Sequence, residues 1–301
     1  MDSQVGRLGS YPVVMGGRIA YLTPYGTFGS EAAVRYDSTA ELVPAQSNEE
    51  VLRMVVRREA NKGIVPIYNN TEGVVNGVMD EFIFDDRFDH SGTGITIVAE
   101  LLLPVEQCLI GPNGTVLEQV VSVLSHPQAL GQCSKFLDSH CPHAARIATL
   151  STAGAVVEAM KTPYGVVAIA SAFAAKTCPG AEVLARDIQD QKNNITRFVV
   201  VCRSPSPPPT GDDKTLLCIF PKEKDRPGTL YWILGEFARL GINLTKVMSR
   251  PSKRALDDDV FVVELNGHLE DPQVDEAMAG VRRQVEVVKV LGSYPRKAGV
   301  G

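Results

Sequence analysis

Four polar clusters hold the chemistry this chain can offer: TPYGTFGSE after RIAYL, YNNTEG after GIVPI, SHPQALGQC after VVSVL, and NNITRF before a late apolar run. They supply Thr27, Ser30, Asn69, Asn70, Thr71, Ser125, Gln128, Thr196 and Arg197. The set is rich in hydroxyls and amides, carries one guanidinium and offers little that could act as a nucleophile, and no Ser-His-Asp order can be read. His126 either faces inward or caps a helix, and GTFGSEAA fits neither phosphate-loop spacing. Donors without a nucleophile suit a carboxylate-bearing substrate, with Arg197 shaped for bidentate pairing. They also suit a reaction that needs orientation and a weak acid more than covalent attack. Decarboxylation, elimination and isomerisation all qualify. Asn-Asn-Thr is equally good turn and helix-cap chemistry.

The elements around these clusters alternate. Strand-like RIAYL, GIVPIY, GITIVAELLL and YGVVAIAS are separated by helical stretches such as NEEVLRMVVRREA. That spacing predicts an α/β architecture with largely parallel sheets, whose ligands bind at the carboxyl ends of strands. The clusters fall at such ends, where a rigid scaffold presents loop side chains. Residues 204–214, within CRSPSPPPTGDDK, read as a stiff, solvated connector. It divides residues 17–203 from residues 215–293, whose pattern is βαββαβ, the ferredoxin-like split unit. There TLLCIFP is a strand, and RPGTLYWILGEFARLG is a helix with Pro227 near its first turn and Gly241 at its stop.

With 301 residues, 44% hydrophobic and 22% charged, the composition is that of a soluble globular protein of about two domains. A net charge of −5 without long basic runs disfavours nucleic acid and anionic membranes as partners. No apolar run reaches the ~20 residues of a membrane span, and MDSQVGRLGS lacks a signal-peptide pattern, so a cytoplasmic location is expected. Six cysteines show neither CxxC spacing nor pairing with the five histidines at ligand intervals. They read as reduced structural thiols; no metal or cofactor is expected.

Taken in order, the motifs resemble a known family. YLTPYGTFGSEAA is similar to the YLGPEGTFSxEAA of prephenate dehydratases, and VPIYNNTEGVVNGVMD to their VPIENSTEGSVNxTLD. SHPQALGQC, VAIASAFAA and NNITRFVVV resemble three further motifs, and RPGTLYWILGEFARLGINLTKVMSRPSK resembles the PGALY and ESRP segments of their regulatory ACT domain. The resemblance spans residues 18–293. It implies a two-lobed, periplasmic-binding-protein-like catalytic domain with a cleft, a ferredoxin-like ACT domain, prephenate as substrate and a homodimer or homotetramer. Matched by motif, the catalytic asparagine, glutamine and threonine fall on Asn69, Gln128 and Thr196. Arg197, Thr27, Asn70, Thr71 and Ser125 are then expected to bind substrate.

Departures from the family pattern carry the finer expectation. Tyr25 and Tyr68 stand where two family glutamates do, and a phenol with pKa near ~10 mostly donates rather than exchanging protons near neutrality. With both at the cleft mouth, proton traffic around the ring hydroxyl changes. The reading is a prephenate decarboxylase that spares the hydroxyl and gives a dihydro-4-hydroxyphenylpyruvate for specialised, antibiotic-type metabolism. Dehydration to phenylpyruvate for phenylalanine biosynthesis is the alternative, and a non-catalytic amino-acid sensor is a third reading. Gly228, Thr229, Leu230, Asn243, Met248, Ser249 and Arg250 match the effector region, where Thr229 replaces Ala and Met248 replaces Glu. Those changes fit retuned or absent feedback.

Overall fold

The computed structural model describes residues 17–88, 94–162, 164–222, 227–256 and 258–296. Arg226 of the RPGTLY segment lies outside them. The first lobe comprises β1 (Arg18–Leu22), α1 (Phe28–Tyr36), β2 (Glu41–Ala45), α2 (Asn48–Val56), β3 (Lys62–Asn69), β4 (Gly73–Val74), α3 (Asn76–Phe84) and β5 (Thr96–Pro104). The chain crosses to a second lobe of β6 (Cys108–Pro112), β7 (Ser122–Ser125), α4 (Pro127–Gln132), α5 (Ser134–His140), β8 (Ala145–Ala148), α6 (Thr152–Ala159), β9 (Val166–Ala170), α7 (Ala172–Thr177) and β10 (Ala181–Ala185). It returns through β11 (Ile195–Cys202) to the first.

The helices begin where capping chemistry sets them. Ser47 accepts a hydrogen bond from the Glu50 amide at the start of α2, and Ser151 one from the Gly154 amide at the start of α6. In α2 the next residues, Val51, Leu52, Met54 and Val55, form the buried face.

The sheets are mixed, not largely parallel. The first-lobe order is β2-β1-β3-β11-β5, with β4 against β3, and the second-lobe order is β10-β6-β9-β7-β8. Pairs joined through a helix within one lobe, β1 with β3 and β7 with β9, are parallel. β11 returns from the other lobe, enters between β3 and β5, and is antiparallel to both. A helical crossover dictates parallel pairing; an interlobe return does not.

After residues 203–212, which form neither helix nor strand, come β12 (Asp213–Pro221), α8 (Thr229–Ala238), β13 (Leu244–Pro251), β14 (Asp259–Asn266), α9 (Pro272–Gln284) and β15 (Val285–Pro295). Their sheet, ordered β13-β14-β12-β15, is the βαββαβ unit. Alternation along β12 divides its side chains between two cores. Leu217 and Ile219 pack with Ile233, Phe237 and Met278 of the helices. Leu216 and Cys218 join Val78, Phe82, Val199 and Val201 of the first lobe in one continuous core. Gly292 (φ 156°) lets β15 approach β5 closely, since a Cβ there would lie 2.2 Å from the Ile97 carbonyl oxygen. The connector is largely exposed, as expected, but is anchored near its middle. Ser206 Oγ accepts the Ser293 amide at 2.9 Å, and the Pro207 carbonyl is 2.9 Å from His268 Nε2.

Candidate active site

A cleft of about 480 Å³ lies between the two lobes of the catalytic domain. Its wall takes Thr27, Phe28 and Gly29 from the start of α1 and Asn48 from that of α2. Across the gap stand His126 and Gln128 at the start of α4, and Ser151 and Thr152 at that of α6. First turns from both lobes thus converge on one space, and helix N-termini present free amides and partial positive charge to anions. Among the described lining residues there is no lysine or arginine; Glu72 and His126 are the ionisable ones.

Thr196 and Asn69 lie directly across the β11–β3 pair, and both line the cleft. Asn69 Oδ1 accepts the amides of Thr71 and Glu72, each at 2.9 Å. That places an oxygen at this end of the carboxamide and turns Nδ2 the other way. Nδ2 donates to Asn194 Oδ1 at 2.7 Å and to Thr196 Oγ1 at 2.9 Å. Asn69 thereby spends its full hydrogen-bonding capacity on the protein. Thr196 is an acceptor on that side, so its own proton is free to be donated elsewhere. Asn69 thus holds the Thr196 hydroxyl in place through Nδ2.

The remaining expected residues divide. Thr27 and Gln128 line the cleft. Thr27 also caps α1 and donates to the Leu22 carbonyl at 3.0 Å. His126 Nδ1 accepts the Gln128 amide at 3.3 Å, so it caps α4 while facing the same space. Ser125 is fully buried and donates to the Ile169 carbonyl at 2.6 Å. Asn70 Oδ1 accepts the Ile195 amide at 2.8 Å and its Nδ2 donates to the Asn193 carbonyl, tying the β3 loop to the start of β11. Thr71 gives its amide to Asn69. Ser125, Asn70 and Thr71 support the site without lining it.

Arg197 is not a cleft residue. Neighbours along a strand face opposite ways, so Thr196 and Phe198 line the cleft while Arg197 shares the reverse face with Val199 and Val201. It is 7% exposed and paired with Glu100 of β5 at 2.7 Å and with Glu264 of β14. Lys214 joins them, at 3.3 Å from Glu100 and 3.5 Å from Glu264, and Arg197 also donates to the Tyr294 hydroxyl at 2.9 Å. Burial alone would raise the Glu264 carboxyl; Arg197, Thr245 and Lys214 bring it below its ordinary value. Burial pushes the Tyr294 phenol up, and the Tyr294 hydroxyl serves this cluster as a hydrogen-bond acceptor.

Neither tyrosine lines the cleft. In the β3–β11 pairing Arg197 faces Tyr68 but Phe198 faces Pro66, so β3 holds one extra residue at this point. Ile64 and Pro66 line the cleft, and Asn69 does so again after the bulge. Ile67 and Tyr68 both turn to the core shared with the ACT domain, where Lys246 Nζ sits 3.2 Å from the Tyr68 ring centroid. Tyr25 is 48% exposed, with its ring edge-on to Tyr21 (6.3 Å between centroids) and to Phe173 of α7 (5.5 Å). It links the lobes outside the cleft.

In the ACT domain Gly228 (φ 89°) opens α8, followed by Thr229 and Leu230, while Asn243 and Ser249 are exposed. Met248 packs against the interdomain core. Arg250 donates to Asn76 Oδ1 and Asp80 Oδ1 of α3, both at 2.6 Å. Strand β13 thus touches the catalytic domain directly. Sequence reading missed Asn194, which shares Asn69, and Gln107, Ser151 and Thr152 of the cleft wall. The serine and threonine carried a usable signal, because STAG is a helix-start pattern after an apolar run. Among the described residues no group of three or more His, Cys, Asp or Glu could hold a metal, and no helix is long and apolar enough to cross a membrane.

Comparison with known proteins agrees with this architecture. Residues 19–206 match the family model for prephenate dehydratase, and residues 224–283 that for the ACT domain. The bifunctional chorismate mutase/prephenate dehydratase of Stutzerimonas stutzeri is 36% identical over 280 residues, 93% of this chain and 73% of that protein. The prephenate dehydratase of Amycolatopsis methanolica is 35% identical over 286 residues, 94% of this chain and 90% of that one. The structure of prephenate dehydratase from Arthrobacter aurescens in complex with L-Phe superposes with a TM-score of 0.82 at 32% identity, covering 93% of this chain and 90% of its own. The two-lobed fold, the cleft and the domain matches lead to one conclusion: this chain belongs to the prephenate dehydratase family.

Proposed function

We propose that the protein dehydrates and decarboxylates prephenate to phenylpyruvate. The observation that carries this reading is the Thr196 hydroxyl, held as an acceptor by Asn69 and left free to donate into a cleft fringed by helix N-termini. Prephenate is a dianion, and amides from both lobes suit its two carboxylates without a guanidinium. As the bond between ring and carboxylate breaks, its electron pair enters the ring and the C4–O bond opens. Thr196 donates a hydrogen bond to the departing oxygen. The products are carbon dioxide, water and phenylpyruvate, with one proton taken up overall. Orientation and donation to developing charge supply the rate enhancement.

This departs from the expectation of a decarboxylase that spares the hydroxyl. That reading rested on Tyr25 and Tyr68 in the cleft, and both lie outside it. The aligned relatives are named as dehydratases. An amino-acid effector at the ACT domain belongs to the same proposal, supported by the domain match and by the L-Phe held in the Arthrobacter relative.

The test is Thr196→Val, followed by carbon dioxide and phenylpyruvate release in parallel. A dehydratase loses both together, by about 100-fold or more, as for removal of one transition-state donor. Persistent carbon dioxide release without phenylpyruvate would return the reaction to simple decarboxylation.

A further inference from the structure

Two buried side-chain atoms that lack a hydrogen-bond partner belong to residues lining the cleft: Asn48 Oδ1 and Gln107 Oε1. Asn48 is only partly buried, at the first position of α2, and its amide can turn toward water. Gln107 is 3% exposed and has no such freedom. A buried acceptor without a donor is costly, and in a native structure it calls for a reason.

The surroundings of Gln107 hold it in place. It lies between β5 and β6, where the chain passes from the first lobe to the second, beside the returning segment that leads into β11. Its amide donates to Gln189 Oε1 at 2.9 Å, and its carbonyl accepts the Ile188 amide at 2.9 Å. Gln189 is fixed in turn by donating to Asp187 Oδ1 at 2.7 Å, and Asp187 adopts a positive φ of 55°. Two residues before Gln107, the Val105 amide bonds the Asn194 carbonyl at 2.8 Å. Asn194 Oδ1 is the atom that shares Asn69 Nδ2 with Thr196. The backbone is clamped on both sides, while the carboxamide oxygen of this cleft-lining residue is buried without a partner.

We infer that Gln107 binds the ring hydroxyl of the substrate, accepting its hydrogen bond through Oε1. The inference rests on the dehydratase reading. The dianion of prephenate offers a single hydrogen-bond donor, the hydroxyl at C4, and Gln107 Oε1 is a buried acceptor without one. With the hydroxyl proton held by Gln107, the oxygen lone pairs are free to face Thr196, whose proton Asn69 leaves available. Gln107 orients the leaving group, and Thr196 assists its departure.

The experiment is steady-state kinetics with prephenate on the full chain, comparing wild type, Gln107→Met and Gln107→Glu, with thermal melts of each. Methionine fills the same space without an acceptor. It is expected to lower kcat about 10- to 100-fold with KM changed less than about threefold, the pattern of an interaction made at the reacting group. Glutamate restores an acceptor oxygen but adds charge against a dianion, so it is expected to recover kcat above the methionine variant at a raised KM. Wild-type kcat in a Gln107→Met protein that melts normally would overturn the assignment. So would a loss confined to KM, which would place the amide on a carboxylate, or a glutamate variant no faster than the methionine one. A wild-type protein forming no phenylpyruvate would remove the functional reading itself; an active wild type beside an unaffected Gln107→Met removes only this inference.

Discussion

At the scale of the residue, the site depends on the direction of one carboxamide. The Thr71 and Glu72 amides fix the oxygen end of Asn69, and so Thr196 must accept from Nδ2 and donate elsewhere. Asn69→Asp would reverse this, because two acceptor oxygens would capture the threonine proton. The expected outcome is a fall in kcat of about 100-fold with little change in KM. Rates over a range of prephenate concentrations check it, and an unchanged kcat would show that Thr196 does not depend on this hydrogen bond. The sequence pointed to Thr196, Asn69 and Gln128 by motif, but it could not give their division of labour. Whether an asparagine touches substrate or orients another residue depends on which backbone amides fold back onto it.

At the scale of the element, β11 is the member on which the protein turns. Its even-numbered residues Thr196 and Phe198 face the cleft, and its odd-numbered Arg197, Val199 and Val201 face the ACT side. Strand alternation alone was enough to separate Thr196 from Arg197, and assigning both to substrate overlooked it. For Tyr68 the same rule fails, since the extra residue in β3 reverses the alternation, and a bulge leaves no mark in an apolar run such as GIVPIY. The buried charges behind Thr196 lead to a prediction about acid. Arg197 and Thr245 hold the Glu264 carboxyl down against the effect of burial, and Lys253 and Arg250 do the same for Asp80 at the α3–β13 contact. Groups with depressed folded values give stability that is intact above the ordinary carboxylate values of 4.5 and 3.8 and is lost as pH falls below them. Melting temperature is expected to hold level from pH 7 to about 5 and then drop. Glu264→Gln should lower the neutral melting temperature, since stripping one partner from a buried pair costs about 3–5 kcal/mol, and should flatten the acid limb. An acid limb identical in wild type and Glu264→Gln would mean that the cluster does not couple folding to pH.

At the scale of the whole molecule, two α/β lobes enclose a cleft and an ACT domain is packed against the reverse of one lobe's sheet through a shared core. The βαββαβ order and the alternation of the first 200 or so residues were legible because local periodicity encodes them. The mixed sheets were not, because a strand returning from a distant lobe carries no local sign of its neighbours. Nor was the docking of the ACT domain. Gly292 and the Arg197–Glu264 pair report it, but each gains meaning only when two distant segments meet. The central claim is that this assembly expels the ring hydroxyl. Its most direct test is to incubate purified protein with prephenate at neutral pH and weigh the product by mass spectrometry without an acid quench, since acid alone aromatises prephenate. The account predicts phenylpyruvate well above a no-enzyme control, with both carbon dioxide and water lost. A product that has lost carbon dioxide and kept its hydroxyl would contradict it.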